Sequence, residues 1–143
     1  MHIARILRTL ARVVLAGFML FAGVGHFVST QSFLAQVPPF FPARELIVQA
    51  SGVVEVAIGL ALLTTRALRP KVGLLLAAFY VLVFPGNISQ ALTHTSAFGL
   101  DTDASRILRL FFQPVLVAWA LWCTDGLREA RLLWAATRRR TAR

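Results

Sequence analysis

The sequence predicts an all-α membrane protein, a bundle of four transmembrane helices. Of its 143 residues, 57% are hydrophobic and 15% are charged, and the mean hydropathy is +0.70. A soluble domain of this length has too much surface for its volume to hide so many apolar side chains. The charged residues also cluster between long apolar runs, a pattern typical of a chain that crosses a bilayer several times.

Four apolar runs define the predicted helices. The first follows a basic N-terminus, and we expect an uncleaved helix rather than a signal peptide, because no clear A-x-A site follows and three more apolar runs do. Arg12 is expected to snorkel toward the interface, which lets this helix begin near Leu7. The predicted helices cover about residues 7–28, 43–64, 71–92 and 105–124.

The other segments suit the membrane interface. The loop after the first helix contains PPFFP at 38–42, in which the prolines cannot continue a helix and the phenylalanines favour an interfacial position. The predicted transmembrane domain covers residues 1–126. Residues 127–143 mix leucine and tryptophan with arginine, which predicts a cytoplasmic interfacial helix followed by a disordered basic tail that touches anionic lipid.

The distribution of lysine and arginine predicts the orientation. Twelve of the 15 lie in the N-terminus, the 64–71 loop or the C-terminal tail, and only Arg44, Arg106 and Arg109 lie on the other side. Because positive charge favours the cytoplasmic side, we expect an N-in/C-in bundle in the cell membrane. The loops 29–44 and 93–105 then face outward.

Composition also excludes several classes of function. The net charge of +9 does not indicate a nucleic-acid partner, because the basic residues flank apolar runs and no basic soluble domain remains. Cys123 is the only cysteine, which rules out an internal disulfide, a CxxC pair or a cysteine-based zinc site. His2, His26 and His94 lack the spacing of a haem site, and no metal site is predicted.

Polar side chains inside the apolar runs mark a candidate site. Each is costly in hydrocarbon and therefore tends to face a partner or a cavity. At 1.5 Å per residue along a helix, they fall in the outer half of the bundle, and Pro85 and Pro114 would bend their helices beside them. We predict an outward-opening polar pocket whose ligand-binding residues are His26, Glu55, Asn87, Arg109 and Gln113.

A purely structural interpretation of these residues stays open. Asn87 and Gln113 could simply join neighbouring helices, with a contribution of about 0.6–2 kcal/mol each. His26 fits a hydrated interfacial imidazole equally well, and Arg109 could mark a helix end. Glu55 is harder to explain in this way, because a lone carboxyl in the middle of a helix must be paired, neutralised or hydrated.

Five segments occur in an order that points to a family: FAGVGHF at 21–27, PPFFP at 38–42, SGVVEVAIGLALL at 51–63, VFPGNI at 83–88 and FFQPVLVAWALW at 111–122. In these segments the chain resembles the DoxX family of small bacterial membrane proteins. The resemblance implies a four-helix membrane bundle with His26, Glu55, Asn87 and Gln113 at motif positions. It also implies a link to redox or respiratory chemistry, since the family is named after a subunit of a thiosulfate:quinone oxidoreductase. The single cysteine departs from thiol-redox relatives.

Two functional hypotheses follow. In the first, a redox- or respiration-associated subunit binds a quinone-like lipophilic molecule. Glu55 and His26 exchange protons with it or hydrogen-bond its carbonyl, and Asn87, Arg109 and Gln113 orient it. In the alternative, a non-enzymatic scaffold assembles with a soluble oxidoreductase and the polar cluster only holds the bundle. Membrane lipids are partners in both hypotheses, a homo-oligomer fits both, and catalysis stays open. A transporter is less favoured, because four helices without an internal repeat leave little room for alternating access.

Overall fold

A computed structural model describes residues 2–141 and contains helices, turns and loops but no strand over that range. Four of its helices are long and apolar enough to cross a membrane, which confirms the predicted all-helical class with four candidate spans. The helices are α1 (His2–Val28), α2 (Thr30–Leu34), α3 (Arg44–Thr64), α4 (Arg69–Leu92), α5 (Asp103–Thr124) and α6 (Gly126–Thr141). The candidate spans are α1, α3, α4 and α5.

Three of the spans begin at positions that hydropathy does not reveal. α1 begins at His2 instead of about residue 7, because its basic first turns continue the helix beyond the apolar run. α4 begins at Arg69, with a proline in its first turn where no intrahelical N–H bond is lost. α5 begins at Asp103, because Thr102 and Ser105 form a reciprocal capping box at its N-terminus.

The spans form two closely packed pairs, α1 with α3 and α4 with α5. Small residues set the approach within each pair. A Cβ atom added to Gly23 would lie 2.7 Å from Val56 Cγ2 and 2.9 Å from the carbonyl oxygen of Gly52. A Cβ atom on Gly73 would overlap the Thr124 hydroxyl. Backbones therefore touch between α1 and α3, as in small-residue contacts between membrane helices, whereas Gly73 on α4 admits the Thr124 side chain of α5.

The two ends of the bundle differ. The end that carries the loops 35–43 and 93–102 is called the loop end, and the end that carries the N-terminus, residues 65–68 and α6 is called the arginine end. An apolar core fills the half nearer the arginine end and joins the two pairs. It comprises Leu15, Ala16, Met19, Ile58, Leu62, Val72, Leu76, Phe79, Tyr80, Leu116, Ala120 and Cys123. A cavity lies between the two pairs in the half nearer the loop end.

Two expectations at the arginine end need correction. Arg12 does not snorkel: its side chain is only 6% exposed, and its Nη1 donates to the carbonyl oxygen of Leu62 at 3.3 Å. The basic tail is helical in its described part, since α6 continues through Thr141. Its leucines, alanines and arginines are good helix formers, which accounts for the difference. Residues 142 and 143 lie outside the described range.

Apolar side chains cover the outside of the bundle. Phe21, Leu82 and Leu92 are each at least three-quarters exposed, and many other large apolar residues on the spans are exposed too. A water-soluble monomer rarely presents such a continuous apolar surface, whereas hydrocarbon solvates it at no cost. The exterior therefore agrees with a multi-pass membrane protein.

The glycine contact predicts how stability responds to one added methyl group. We expect Gly23→Ala to lower the free energy of unfolding by about 1–3 kcal/mol, because the new Cβ must push α1 and α3 apart. Gly17→Ala is the matched control, since nothing lies within 4 Å of a Cβ atom there. It should change stability by less than about 1 kcal/mol. Thermal unfolding of the purified protein in detergent measures both, and equal losses would contradict the backbone contact.

Candidate functional site

A cavity of about 510 Å³ lies between the two helix pairs in the half nearer the loop end. Its wall combines aromatic and aliphatic side chains with a few polar groups, as ligand pockets usually do. All five residues that the sequence predicts as ligand-binding line this cavity: His26, Glu55, Asn87, Arg109 and Gln113. The four spans each contribute at least one of them.

The two amides form the most completely bonded part of the wall. Asn87 Nδ2 donates to Gln113 Oε1 at 3.0 Å, and Gln113 Nε2 donates to the carbonyl oxygen of Tyr80 at 2.5 Å. That carbonyl lies just over one turn before Pro85 on α4. Both amide side chains are buried. These bonds hold α4 against α5, so the structural interpretation accounts for Asn87 and Gln113 without a ligand.

His26 has a defined orientation. Its Nδ1 lies 2.8 Å from the carbonyl oxygen of Ala22, one turn earlier on α1. A carbonyl oxygen can only accept, so Nδ1 carries the proton and Nε2 is the remaining nitrogen. The imidazole stacks on the ring of Phe33, with 3.7 Å between centroids. His26 is therefore buried, with 7% of its surface exposed, and is not the hydrated interfacial histidine of the alternative interpretation.

Glu55 lies beside this imidazole but is not hydrogen-bonded to it. Its Oε2 is 3.5 Å from His26 Nδ1, and that nitrogen already donates to Ala22. Within residues 2–141, Glu55 Oε2 is buried and has no hydrogen-bond partner. An unpaired carboxyl oxygen in such a place is costly, which singles out Glu55 among the site residues.

Arg109 is the cation of the same cavity. The one hydrogen bond of its side chain in the described part of the chain runs from Nε to Asn87 Oδ1 and is long, at 3.4 Å. No carboxylate lies within 4 Å of its guanidinium among those residues. Glu55 and Arg109 thus line one cavity without forming an ion pair. Their free acceptor and donors are available to a polar group placed between them.

The aromatic residues of the site were not among those predicted from the sequence. Phe33, on the short helix α2, covers His26 and meets the ring of Phe98 edge-on, with 4.7 Å between centroids. Tyr80 Oη donates to Met19 Sδ at 3.1 Å at the bottom of the cavity. Tyr80 is the only tyrosine of the chain and lies in an uncharged apolar run. Nothing in its sequence neighbourhood therefore distinguishes it from an ordinary core residue.

The loop 35–43 covers the cavity at the loop end. Arg44 Nη2 donates to the carbonyl oxygens of Leu34, at 2.5 Å, and Val37, at 2.9 Å, which ties the loop to the start of α3. A Cβ atom on Gly86 would lie 2.3 Å from the carbonyl oxygen of Gln36, so only glycine lets the loop approach α4 so closely. Arg44 is therefore a structural residue of this cover.

Arg106 fixes the second loop and does not face the cavity. It is buried, its Nη1 donates to Asp103 Oδ1 at 2.7 Å, and its Nη2 donates to Ser96 Oγ at 3.0 Å. Gln90, one of the polar residues that share a face of α4 with Asn87, donates to the Thr95 carbonyl oxygen at 3.2 Å. This network holds the 93–102 loop to α4 and α5.

The side of the cavity reaches the surface of the bundle. Phe18, Leu82 and Phe112 contribute to its rim and are also exposed on the apolar exterior. The sequence predicts a pocket that opens outward through the loop end. In the structure, Phe33 and Val37 line the cavity at that end together with the exposed Phe41, whereas Phe18, Leu82 and Phe112 lie on the outer surface of the spans. A molecule dissolved in hydrocarbon would therefore meet the rim directly.

Four helices able to span a membrane, with a polar cavity between two helix pairs, are typical of small multi-pass membrane proteins. The chain belongs to the family described as a domain of unknown function, DUF8561, whose model matches residues 15–124. That range includes all five predicted site residues and most of each candidate span. Comparisons with curated proteins and with solved structures found no match. The resemblance to the DoxX family stays a prediction.

The contrast between paired and unpaired groups predicts opposite effects on stability. We expect Gln113→Leu to destabilise the bundle by about 0.6–2 kcal/mol, because it removes the bonds to Asn87 and Tyr80. Glu55→Gln should leave stability unchanged or raise it, since no hydrogen bond to Oε2 is lost and a buried ionisable group disappears. Thermal unfolding in detergent compares the two. A larger loss for Glu55→Gln would mean that Glu55 is paired in the protein.

Proposed function

We propose that this chain is a bacterial membrane protein that binds a quinone-like lipophilic molecule in its cavity and serves as a redox- or respiration-associated subunit. One observation supports the binding role above the others. An unpaired buried carboxyl oxygen of Glu55 and an incompletely bonded guanidinium of Arg109 line the same largely apolar cavity. Buried polar groups that lack a hydrogen-bond partner within the protein are concentrated at functional sites.

The polar groups match the chemistry of a quinone head group. A quinone carbonyl accepts hydrogen bonds, and a quinol hydroxyl also donates one. Arg109 supplies donors, the free oxygen of Glu55 supplies an acceptor, and His26 Nε2 can accept or, when protonated, donate. Phe18, Phe79 and Phe112 supply apolar and aromatic surface around these groups. The cavity volume of about 510 Å³ lies within the usual range for small-molecule sites.

The lateral rim favours a ligand that arrives from the bilayer. A quinone carries an apolar tail, and Leu82 and Phe112 offer an apolar surface where such a tail would leave the cavity. A water-soluble ligand would instead need a polar entrance, yet the loop 35–43 covers that end. The redox association rests on the resemblance to the DoxX family and on no contact in the structure.

The scaffold hypothesis has one observation in its favour. Asn87 and Gln113 bond to each other and to the Tyr80 backbone, as a purely structural cluster would. In that case a protein partner binds elsewhere, and the cavity has no specific occupant. The incomplete hydrogen bonding of Glu55 and Arg109 favours the ligand-binding hypothesis, because a purely structural cluster would be more stable with both side chains paired.

Quinone binding is testable with decylubiquinone, a short-tailed quinone. Native mass spectrometry of the detergent-purified protein should show one decylubiquinone bound to wild type. Arg109→Gln should weaken decylubiquinone binding about 10- to 100-fold, since it removes a charged donor to the quinone carbonyl. Glu55→Gln should weaken binding of the reduced decylubiquinol by a similar factor, since only the quinol hydroxyl can donate to the carboxylate. His26→Ala should weaken it as well.

Glu45→Gln is the matched control, because it makes the same change on α3 at an exposed site outside the cavity. Its affinity should equal that of wild type. Folded Glu55→Gln and Arg109→Gln variants that bind as well as wild type would refute the assigned roles. If wild type retains only bulk phospholipid and binds no quinone, the scaffold hypothesis would be preferred.

The proposal includes the N-in/C-in orientation. The arginine end collects the basic residues of the N-terminus, the 65–71 segment and α6, and positive charge favours the cytoplasmic side. The loop end carries Arg44, Arg106 and Arg109 together with Asp101 and Asp103. The cavity then lies in the outer half of the membrane.

Cysteine labelling tests this orientation, because Cys123→Ala gives a chain without cysteine. In that background, Gln31→Cys and Thr137→Cys each place one thiol at an exposed position, at the loop end and on α6. A membrane-impermeant maleimide added to intact spheroplasts should label the first variant and spare the second until the membrane is opened. The reverse pattern would invert the proposed topology.

A further inference from the structure

A second cleft, of about 360 Å³, lies at the arginine end, far from the cavity between the helix pairs. It is formed where the first turns of α1 meet the end of α5 and the first turns of α6. Three arginines line it: Arg8, Arg128 and Arg131. Neither the polar cluster nor the proposed quinone site uses any of them.

The turn between α5 and α6 builds this cleft. Asp125 ends α5 in the left-handed conformation, with φ of 61°, and Gly126 begins α6 at once. Asp125 Oδ1 accepts a hydrogen bond from Arg8 Nη1 at 2.6 Å, which ties α1 to the turn. Arg128 and Arg131 are three residues apart, so they lie on one face of α6. Both face the cleft that Arg8 borders.

The cleft has an excess of positive charge. Asp125 is the only acidic residue among the described residues that line it, and Arg8 already pairs with it. Over the described residues, the guanidinium groups of Arg128 and Arg131 have neither a hydrogen bond nor an ion pair. Arg12 lies one turn further along the same face of α1, is buried, and has no carboxylate partner in that range. Its charge adds to the positive potential behind the cleft.

Apolar groups border the same arginines. Trp122, Leu127 and Leu132 line the cleft and are each about half exposed. The guanidinium of Arg8 lies 6.0 Å from the centre of the Trp122 ring. Tryptophan and leucine beside arginine at the end of a membrane span are typical of the level where lipid headgroups meet acyl chains. The cleft therefore combines arginines that can bind a lipid headgroup with apolar side chains that can contact acyl chains.

We propose that this cleft binds the headgroup of one anionic phospholipid. The two unpaired guanidinium groups hold the phosphate by charge-assisted hydrogen bonds, for which the planar arginine fork is well suited. Trp122, Leu127 and Leu132 contact the glycerol and the upper acyl chains. Basic pockets at the ends of membrane helices bind anionic headgroups in this way. The site is independent of the quinone proposal and of the direction in which the chain is inserted.

The test measures phosphatidylglycerol binding to the full-length protein in detergent by native mass spectrometry. Each arginine near the headgroup contributes roughly 1 kcal/mol, so the double variant Arg128→Gln/Arg131→Gln should raise the Kd about 30-fold. The control is Arg138→Gln/Arg139→Gln, which removes equal charge from the same helix outside the cleft. It should raise the Kd by less than about threefold. Circular dichroism checks that both variants keep their helix content.

Each other result would overturn the proposal in a distinct way. Equal weakening by the two double variants would show diffuse attraction to the basic helix instead of a site. Phosphatidylcholine that binds wild type as tightly as phosphatidylglycerol would remove the requirement for an anionic lipid. Displacement of the lipid by millimolar inorganic phosphate would identify a site for soluble anions. The variant pair Arg128→Lys/Arg131→Lys keeps the charge but loses the planar fork, so it should bind phosphatidylglycerol more tightly than the glutamine pair and more weakly than wild type.

Discussion

The cavity depends on the contact between the backbones of Gly23 and Gly52, which fixes the distance between α1 and α3. Each glycine lies three residues before a site residue, so the same faces that touch at the glycines carry His26 and Glu55 one turn away. A Cβ atom at Gly52 would lie 2.7 Å from His26 Cβ. The absence of a side chain at this position is therefore what allows the imidazole to lie within 3.5 Å of the carboxyl group. A wider spacing of α1 and α3 would separate these two groups and change the cavity wall.

The polar residues of the cavity divide into two kinds on energetic grounds. Asn87 and Gln113 exchange hydrogen bonds with each other and with the backbone, so their burial costs little and they hold α4 to α5. Glu55 and Arg109 are left incompletely bonded in the same low-dielectric space, where an unpaired polar group costs more than a lost hydrogen bond in water. The two amides therefore have a structural role in the wall. Glu55 and Arg109 keep hydrogen-bonding groups free for a bound molecule. A guest with its own polar atoms would remove that cost.

Hydropathy and the cost of polar groups in hydrocarbon were enough to predict the four helices and the five polar residues that share a wall. They could not predict which helices pair, because lipid solvates every apolar face equally and the pairing depends on where Gly23 meets Gly52. The stacking of Phe33 on His26 could not be predicted either, since it depends on how the loop 35–43 folds back over the bundle. The position of the Arg12 side chain was predicted wrongly for a similar reason. An arginine near a helix end is expected to extend into water, but Arg12 instead donates to the Leu62 carbonyl oxygen at the end of α3.

The closed half of the bundle constrains what the open half can do. Leu62, Leu76 and Leu116 belong to a continuous apolar core between the cavity and the arginine end. A solute could cross toward that end only if the core came apart, at a cost of several kcal/mol for the side chains involved. The loop 35–43 covers the opposite end, held by Arg44. Exchange through the lateral rim disturbs neither barrier. A cavity whose rim residues lie on the apolar exterior, and whose Glu55 oxygen and Arg109 guanidinium are incompletely bonded, therefore fits the proposed guest, which arrives dissolved in the bilayer and brings polar atoms of its own.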